Sequence, residues 1–290
     1  MGCLLTTLAC PAFAADSIIP CPDVFDNGVT GHGSNLKVAF ERDAQLLNAP
    51  TSLLNFNNVK KGNKISLLTC DAADCSAGGT VSQVIDPGPF QPSTSSVDFD
   101  APDDGTTLTQ AAYDSVRVES GATLNVEPTI TDYFFNELEV ESNATIVPQP
   151  GDYWIDDLAL KQGAQLQVGG SGTTRIFVNT INKLSGANQT KIEDDVLVNS
   201  SAPGVSGDPS KLFLYVYDND IKLGADATFS GFVYGERKVE TEKQAAFFGA
   251  LSAGRNVTLD DNSFVSYDAG AVVDADFGCL CSCVTSSLLN

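Results

Sequence analysis

The apolar positions of this chain return in a nine-residue pattern, copied six times from Val116, Leu138, Leu158, Ile221, Val239 and Val257. Positions one and three are aliphatic in every copy except at Thr241. Position nine is again large and apolar: Leu124, Ile146, Leu166, Phe229, Phe247 and Val265. Such alternation puts positions one and three on one face of a strand and position two on the other. Position six is Gly121, Asn143, Gly163, Asp226, Gln244 or Asn262, mostly residue types that accept a left-handed backbone. Position seven is Ala in five copies and Ser263 in the last, a corner with space for only a small side chain. The pattern predicts a strand, a tight corner and a second strand.

The copies start 22, 20, 63, 18 and 18 residues apart. A period near 20 is too short for a propeller blade or a helical-hairpin repeat. It suits one coil of a β-solenoid, which buries its apolar face only by stacking on its neighbours. The 63-residue gap is expected to hold two further coils, with strands at Ile176–Asn179 and Leu212–Tyr217 and an excursion loop over Ser200–Ser210. The expected fold is all-β: a right-handed parallel β-helix over residues 106–270. Roughly seven or eight coils at about 4.8 Å each would give a rod on the order of 35 Å long. The related segments Asp132–Leu138 and Asp152–Leu158 predict an inward column of Tyr133, Phe135, Tyr153 and Ile155. A sugar-binding aromatic platform is the functional alternative there.

The flanking segments read differently. Residues 15–105 are rich in Pro, Asn, Asp and Ser, with apolar runs between, and are expected to form an N-terminal β cap and connector over the first coil. A solenoid needs such cover because its terminal coil otherwise presents a bare strand edge. Residues 271–290 form a Cys-rich tail that either caps the last coil or precedes a missing domain. Residues 1–14 read as a signal peptide: a short apolar stretch from Cys3 to Cys10, then Ala12-Phe13-Ala14 as an A-x-A site, without the usual basic start. The expected location is the periplasm, cell surface or exterior. Six cysteines would remain after cleavage, Cys21, Cys70, Cys75, Cys279, Cys281 and Cys283. An even count in an exported chain favours disulfides, whose pairing the sequence leaves open. The C-x-C-x-C run lacks a nearby histidine and zinc-motif spacing, so no metal is expected.

Charge and motifs narrow the function. With 37 acidic against 16 basic residues the formal charge is −21, which repels nucleic acid and anionic lipid and excludes both as direct partners. No stretch is apolar for long enough to span a membrane. The single histidine, His32 in T-G-H-G-S-N, lacks a G-x-S-x-G companion and reads as a solvated or capping residue. No P-loop, dinucleotide fingerprint, EF-hand or H-E-x-x-H occurs, so no cofactor is expected. A polysaccharide-cleaving β-helix would need clustered carboxylates, and Asp156-Asp157, Asp194-Asp195, Asp260-Asp261, Asp218 and Asp220 are the candidates. In the repeat register Asp260-Asp261 falls at positions four and five, an outward turn, and Asp156-Asp157 equates with Asn136-Glu137. No catalytic residue is therefore assigned. An ice-binding face would need regular threonines, but position eight runs Thr123, Thr145, Gln165, Thr228, Ala246, Phe264. Any partner face would be built from positions two, four and eight, as at Arg117, Glu119 and Thr123.

Several long segments carry a family resemblance: Y-D-S-V-R-V-E-S-G-A-T-L-N-V from Tyr113, the G-D-Y-W-I segment, and L-F-L-Y-V-Y-D-N-D-I-K-L-G-A-D-A-T-F-S-G-F-V-Y-G from Leu212. With F-F-G-A-L-S-A-G-R-N-V-T-L-D-D-N-S, the closing V-S-Y-D, and D-A-A-D-C-S-A-G-G-T followed by D-P-G-P-F, they resemble MshQ-like proteins encoded with the mannose-sensitive haemagglutinin (MSHA) type IV pilus. The resemblance implies a non-enzymatic structural or adhesion protein whose partners are pilus or cell-envelope proteins, with surface glycans as further candidates. Polysaccharide binding or cleavage, self-polymerisation and ice binding are the rival expectations. Members of that family usually continue into further β domains, whereas this chain stops soon after D-A-D-F-G.

Overall fold

The computed structural model describes residues 24–25, 27–32, 36–49, 53–54, 56–61, 76–77, 85, 87–181 and 189–278. The expected signal peptide and all six cysteines lie outside the described residues. Within them the nine-residue pattern builds the fold as expected. Position six takes φ between +57° and +80° at Gly121, Asn143, Gly163, Asp226, Gln244 and Asn262. That left-handed residue turns the chain so that position seven points inward, where Ala122, Ala144, Ala164, Ala227, Ala245 and Ser263 are buried. The stacked corners leave space there for small side chains only, up to valine.

Two further copies share this geometry. Thr190–Val198 has Asp195 at φ +60° and Val196 inward, and Val38–Leu46 has Asp43 at φ +58° and Ala44 inward. A reduced coil with a shorter corner comes first in the stack, with strands Asp98–Ala101 and Thr106–Leu108 pairing Ser115–Val118 and Leu124–Val126. One ladder joins the coils: the position-four N–H donates to the position-three carbonyl of the coil before it. Its rungs are Glu119 to Ala101, Glu141 to Val118, Lys161 to Val140, Glu193 to Leu160, Gly224 to Ile192, Glu242 to Leu223, Asp260 to Thr241 and Glu41 to Leu259, at 2.8–3.2 Å. All these pairings are parallel. The molecule is a parallel β-solenoid of about nine turns, on the order of 40 Å long at the spacing of stacked strands.

Three expectations change. The gap between Leu158 and Ile221 holds one further copy, at Thr190, rather than two. The strands Thr174–Ile181 and Leu212–Val216 do lie on two successive turns, but the second of these is the turn that carries the Ile221 copy. The solenoid begins at Asp98, before the expected 106. Third, the described strands between residues 29 and 61 that join the stack do so at its far end and not on the first coil. Val29–Gly31 pairs with Leu251–Ala253, Lys37–Phe40 with Val257–Leu259, and Gln45–Leu47 with Phe264–Ser266, so residues 29–47 form the coil beyond the last sequential one. Asn58–Lys61 pairs in turn with Lys37–Phe40. The reason is register: Val38-Ala-Phe-Glu-Arg-Asp-Ala-Gln-Leu46 is itself a copy, and the last coil offers it a matching apolar edge.

The shape of the coil varies with the length of its wall. Phe135 lies three residues before Leu138, and strand Asp132–Val140 runs unbroken through both. Gly235 and Ala253 lie four residues before Val239 and Val257, and the extra residue opens a third corner. Inside, Tyr133 stacks on Tyr153 with centroids 5.0 Å apart and Phe229 on Phe247 at 5.0 Å, and the expected column of Tyr133, Phe135, Tyr153 and Ile155 is buried. The phenols reach the corner carbonyls: Tyr133 Oη donates to Glu127 O at 2.7 Å and Tyr153 Oη to Gln149 O at 2.9 Å. Burial pushes the Tyr133 hydroxyl up to about 12 and raises that of Tyr153 as well.

Candidate functional site

Positions two and four of successive coils form two outward columns on one wall. Arg117 reaches Glu141 at 2.5 Å and Glu139 at 3.5 Å, and Lys161 reaches Glu139 at 3.3 Å. Higher up, Lys222 lies 2.8 Å from Glu242 and 3.5 Å from Glu240. Hydrogen bonds donated to Glu141 and Glu242 raise the Arg117 and Lys222 pKa values, respectively. These half-exposed pairs tie one coil to the next, and each is of small energetic weight in water. The wall is striped in sign without a concentrated charge.

The acidic pairs are placed in the same way. Asp156 accepts from Asn179 at 2.6 Å, Asp194 from the Ala225 N–H at 2.9 Å, and Asp195 from Gln162 at 3.1 Å. Asp260 accepts from the Asp261 N–H at 2.7 Å, and Asp261 pairs with Arg42 at 2.7 Å. Asp220 accepts from the Lys238 N–H at 3.2 Å. Asp194, Asp195, Asp220, Asp260 and Asp261 hold corners, their own or those of the adjoining coil, whereas Asp156 bonds mid-strand to the neighbouring strand Thr174–Ile181 and Asp218 is an exposed partner of Arg237. Among the described residues no three His, Cys, Asp or Glu side chains converge as a metal-binding group. Two voids between Ile192, Leu214 and Phe229 measure about 10 Å³ each, at the lower limit for a single water.

Position eight is partly exposed at both ends of the stack, with Phe264 and Gln45 at the far end, and buried between them. Thr123, Thr145 and Gln165 are partly exposed in register on adjoining strands. Above them Leu197, Thr228 and Ala246 are buried, so they do not belong to an outward face. The excursion loop covers this region: the Gly204 N–H donates to Thr228 Oγ1 at 2.8 Å and the Gly207 N–H to Ser230 Oγ at 2.9 Å. Asn199 is buried there with its amide donating to Asp208 O and Ser230 O, so its N-S-S sequon is closed to modification in the folded chain.

The third wall carries a feature the sequence did not reveal. Its outward residues Trp154, Phe177, Tyr215 and Tyr234 sit on successive strands, with rings 4.4 Å apart for Trp154–Phe177 and 5.0 Å for Tyr215–Tyr234. They are covered by Phe25, Ile85, Phe90 and the helix Ala269–Asp274 with Phe277. Phe25 stacks on Phe277 at 5.4 Å, bringing the two ends of the described chain together. The Ile85 N–H donates to Tyr234 Oη at 3.0 Å, and Tyr215 Oη donates to Ile85 O and to Glu236.

His32 closes this row. It is 4% exposed, not solvated: its ring stacks on Tyr234 at 4.3 Å, and Nδ1 lies 3.0 Å from Ser252 Oγ. The pair does not form a hydrolytic dyad. Ser252 is fully buried, and His32 Nε2 has no acidic partner to orient the ring. The only pointer in the sequence was Gly254, whose missing side chain makes space for the ring.

No helix among the described residues is long and apolar enough to cross a membrane. No curated protein and no solved structure matches the chain. The family model described as "Domain of unknown function (DUF7305)" matches residues 79–270, well over half of the 290, and the chain belongs to that family.

Proposed function

We propose that this chain is a non-enzymatic, exported structural protein of the cell surface, a spacer or assembly component associated with type IV (MSHA-like) pilus biogenesis or adhesion. The observation that carries this reading is the use of its carboxylates. Of the acidic pairs that could have served catalysis, Asp194-Asp195 and Asp260-Asp261 bind corners of the stack, Asp156 ties two strands together, and the lumen is filled with packed side chains. What remains for partners is a stiff rod with a striped ionic wall and the open strip of Thr123, Thr145 and Gln165. The MshQ-like segments named above supply the pilus association.

The test is binding of the purified chain to isolated pili and to a glycan array, side by side. Pilus binding without glycan binding is the expected result. Selective glycan binding would instead favour a carbohydrate-binding protein, and cleavage of the bound sugar would overturn the non-enzymatic reading.

A further inference from the structure

The N-terminal coil is held differently from the coils beneath it. Among the described residues, four buried side-chain atoms lack a hydrogen-bond partner: Asn27 Oδ1, Thr30 Oγ1, His32 Nε2 and Arg237 Nε. Arg237 Nε still sits 3.4 Å from Asp220, an ion pair without hydrogen-bond geometry. The other three fall on one stretch of six residues, the first wall of the N-terminal coil. Buried polar atoms are normally paired, so this seam is the least satisfied in the stack.

His32 pins that seam. Its N–H donates to Ala253 O at 3.0 Å, Nδ1 meets Ser252 of the coil below, and the ring lies on Tyr234 of the coil below that. A Cβ at Gly254 would come within 2.2 Å of the Glu236 carbonyl oxygen and 3.2 Å of His32 Nε2, so the ring occupies space that only glycine leaves. The charged and titratable groups nearby are engaged elsewhere. Tyr234 Oη accepts from Ile85, the Glu236 carboxylate is held by Tyr215 and the Asp218 N–H, and Arg237 pairs with Asp218 and Asp220. Arg255 follows Gly254 on an exposed turn. None of them hydrogen-bonds Nε2.

We propose that residues 27–32 and 36–47 form a detachable terminal coil, docked on the last sequential coil while His32 is neutral and released when it is protonated. A neutral ring can leave Nε2 as a bare acceptor, but an imidazolium would bury a charged N–H with nothing to receive it. Burial lowers the His32 pKa from 6.5 to about 4. The released ring binds its proton near 6.5 and the docked ring near 4. Docking is therefore at full strength above 6.5 and weakens about tenfold per pH unit below it. It levels off near 4, for a total of roughly 300-fold. The coil can leave without breaking another, because the next coil in sequence, at Asp98, lies at the opposite end of the stack; among the described residues Asn58–Lys61 would go with it, together with the paired strands Leu53–Leu54 and Ser76–Ala77 that pack against it. Release uncovers the strand edges of residues 246–266, a surface open to strand addition.

Hydrogen exchange of the full chain, corrected for intrinsic rates, tests this at pH 7, 6, 5 and 4. The amides of residues 29–40 should lose protection stepwise across that range while those of residues 116–166 keep theirs, and His32→Gln should flatten the dependence. His32 is the only histidine, so NMR titration of its imidazole in the unmodified chain reads the same event without a variant. Titration near 6.5 with no change in exchange would overturn the proposal. So would loss of protection in both regions together, or a pH dependence that survives His32→Gln.

Discussion

Thr241 and Ser263 are the two polar exceptions among the inward positions of the six copies read from the sequence, and they resolve each other. They fall on adjoining coils, where Thr241 Oγ1 donates to Ser263 Oγ at 2.9 Å and Ser263 Oγ donates to the Asp260 carbonyl at 2.7 Å. Ser263→Ala should cost about 1–3 kcal/mol, because it strands a buried threonine hydroxyl. The double variant Thr241→Val with Ser263→Ala should recover most of that loss in chemical denaturation, and additive losses would show that the pair does not interact. At position six, Gln244 holds φ +60° where its equivalents are mainly Gly, Asn or Asp. Gln244→Gly should therefore stabilise by about 1 kcal/mol despite the flexibility it adds to the unfolded chain; destabilisation in the same melt would contradict the corner assignment.

At the scale of the element, the first coil shows how the stack ends. In every later coil the position-four N–H reaches back to its predecessor. In the strand Asp98–Ala101 the equivalent residue is Pro102, which has no N–H to give. Asp98, Asp100, Asp103 and Asp104 surround this edge, and charge on an edge strand opposes pairing with another chain. No strand among the described residues pairs with this edge from outside, and its own residues blunt it. Asp100→Val with Pro102→Val should make the chain associate with rising concentration in sedimentation, whereas the unaltered chain should not grow from this end. Filaments built through the unaltered edge would restore the self-polymerising alternative. The strands and corners were legible in the sequence because period two and a left-handed residue are local properties. The copy at Thr190 was hidden by Thr at position one and Val196 at position seven, and the first coil by its shortened turn. The covered half of position eight could not be read, since the loop that buries Thr228 acts through space.

For the whole molecule, the sequence contained the stack but not the order of its ends. Residues 38–46 carry a full copy of the repeat, yet proximity in the chain suggested a cap on the coil at Asp98. What decides is which open edge presents the better-matched register and apolar cross-section, and Val257–Leu259 presents both. The candidate site was legible only as an absence of motifs: the burial of His32 depends on Tyr234, Ser252 and Gly254, more than 200 residues away. This topology also constrains folding, since the N-terminal coil pairs locally only with Asn58–Lys61 and cannot dock on the stack until residues 246–266 are in place, and such non-local closure is slow. The most direct test of the coil order is the distance between spin labels carried on unnatural amino acids at Glu41 and Glu119, both at position four. Seven coil spacings separate them, so the account expects about 34 Å. A distance below roughly 15 Å would place the N-terminal segment over the first coil and contradict the stack described here.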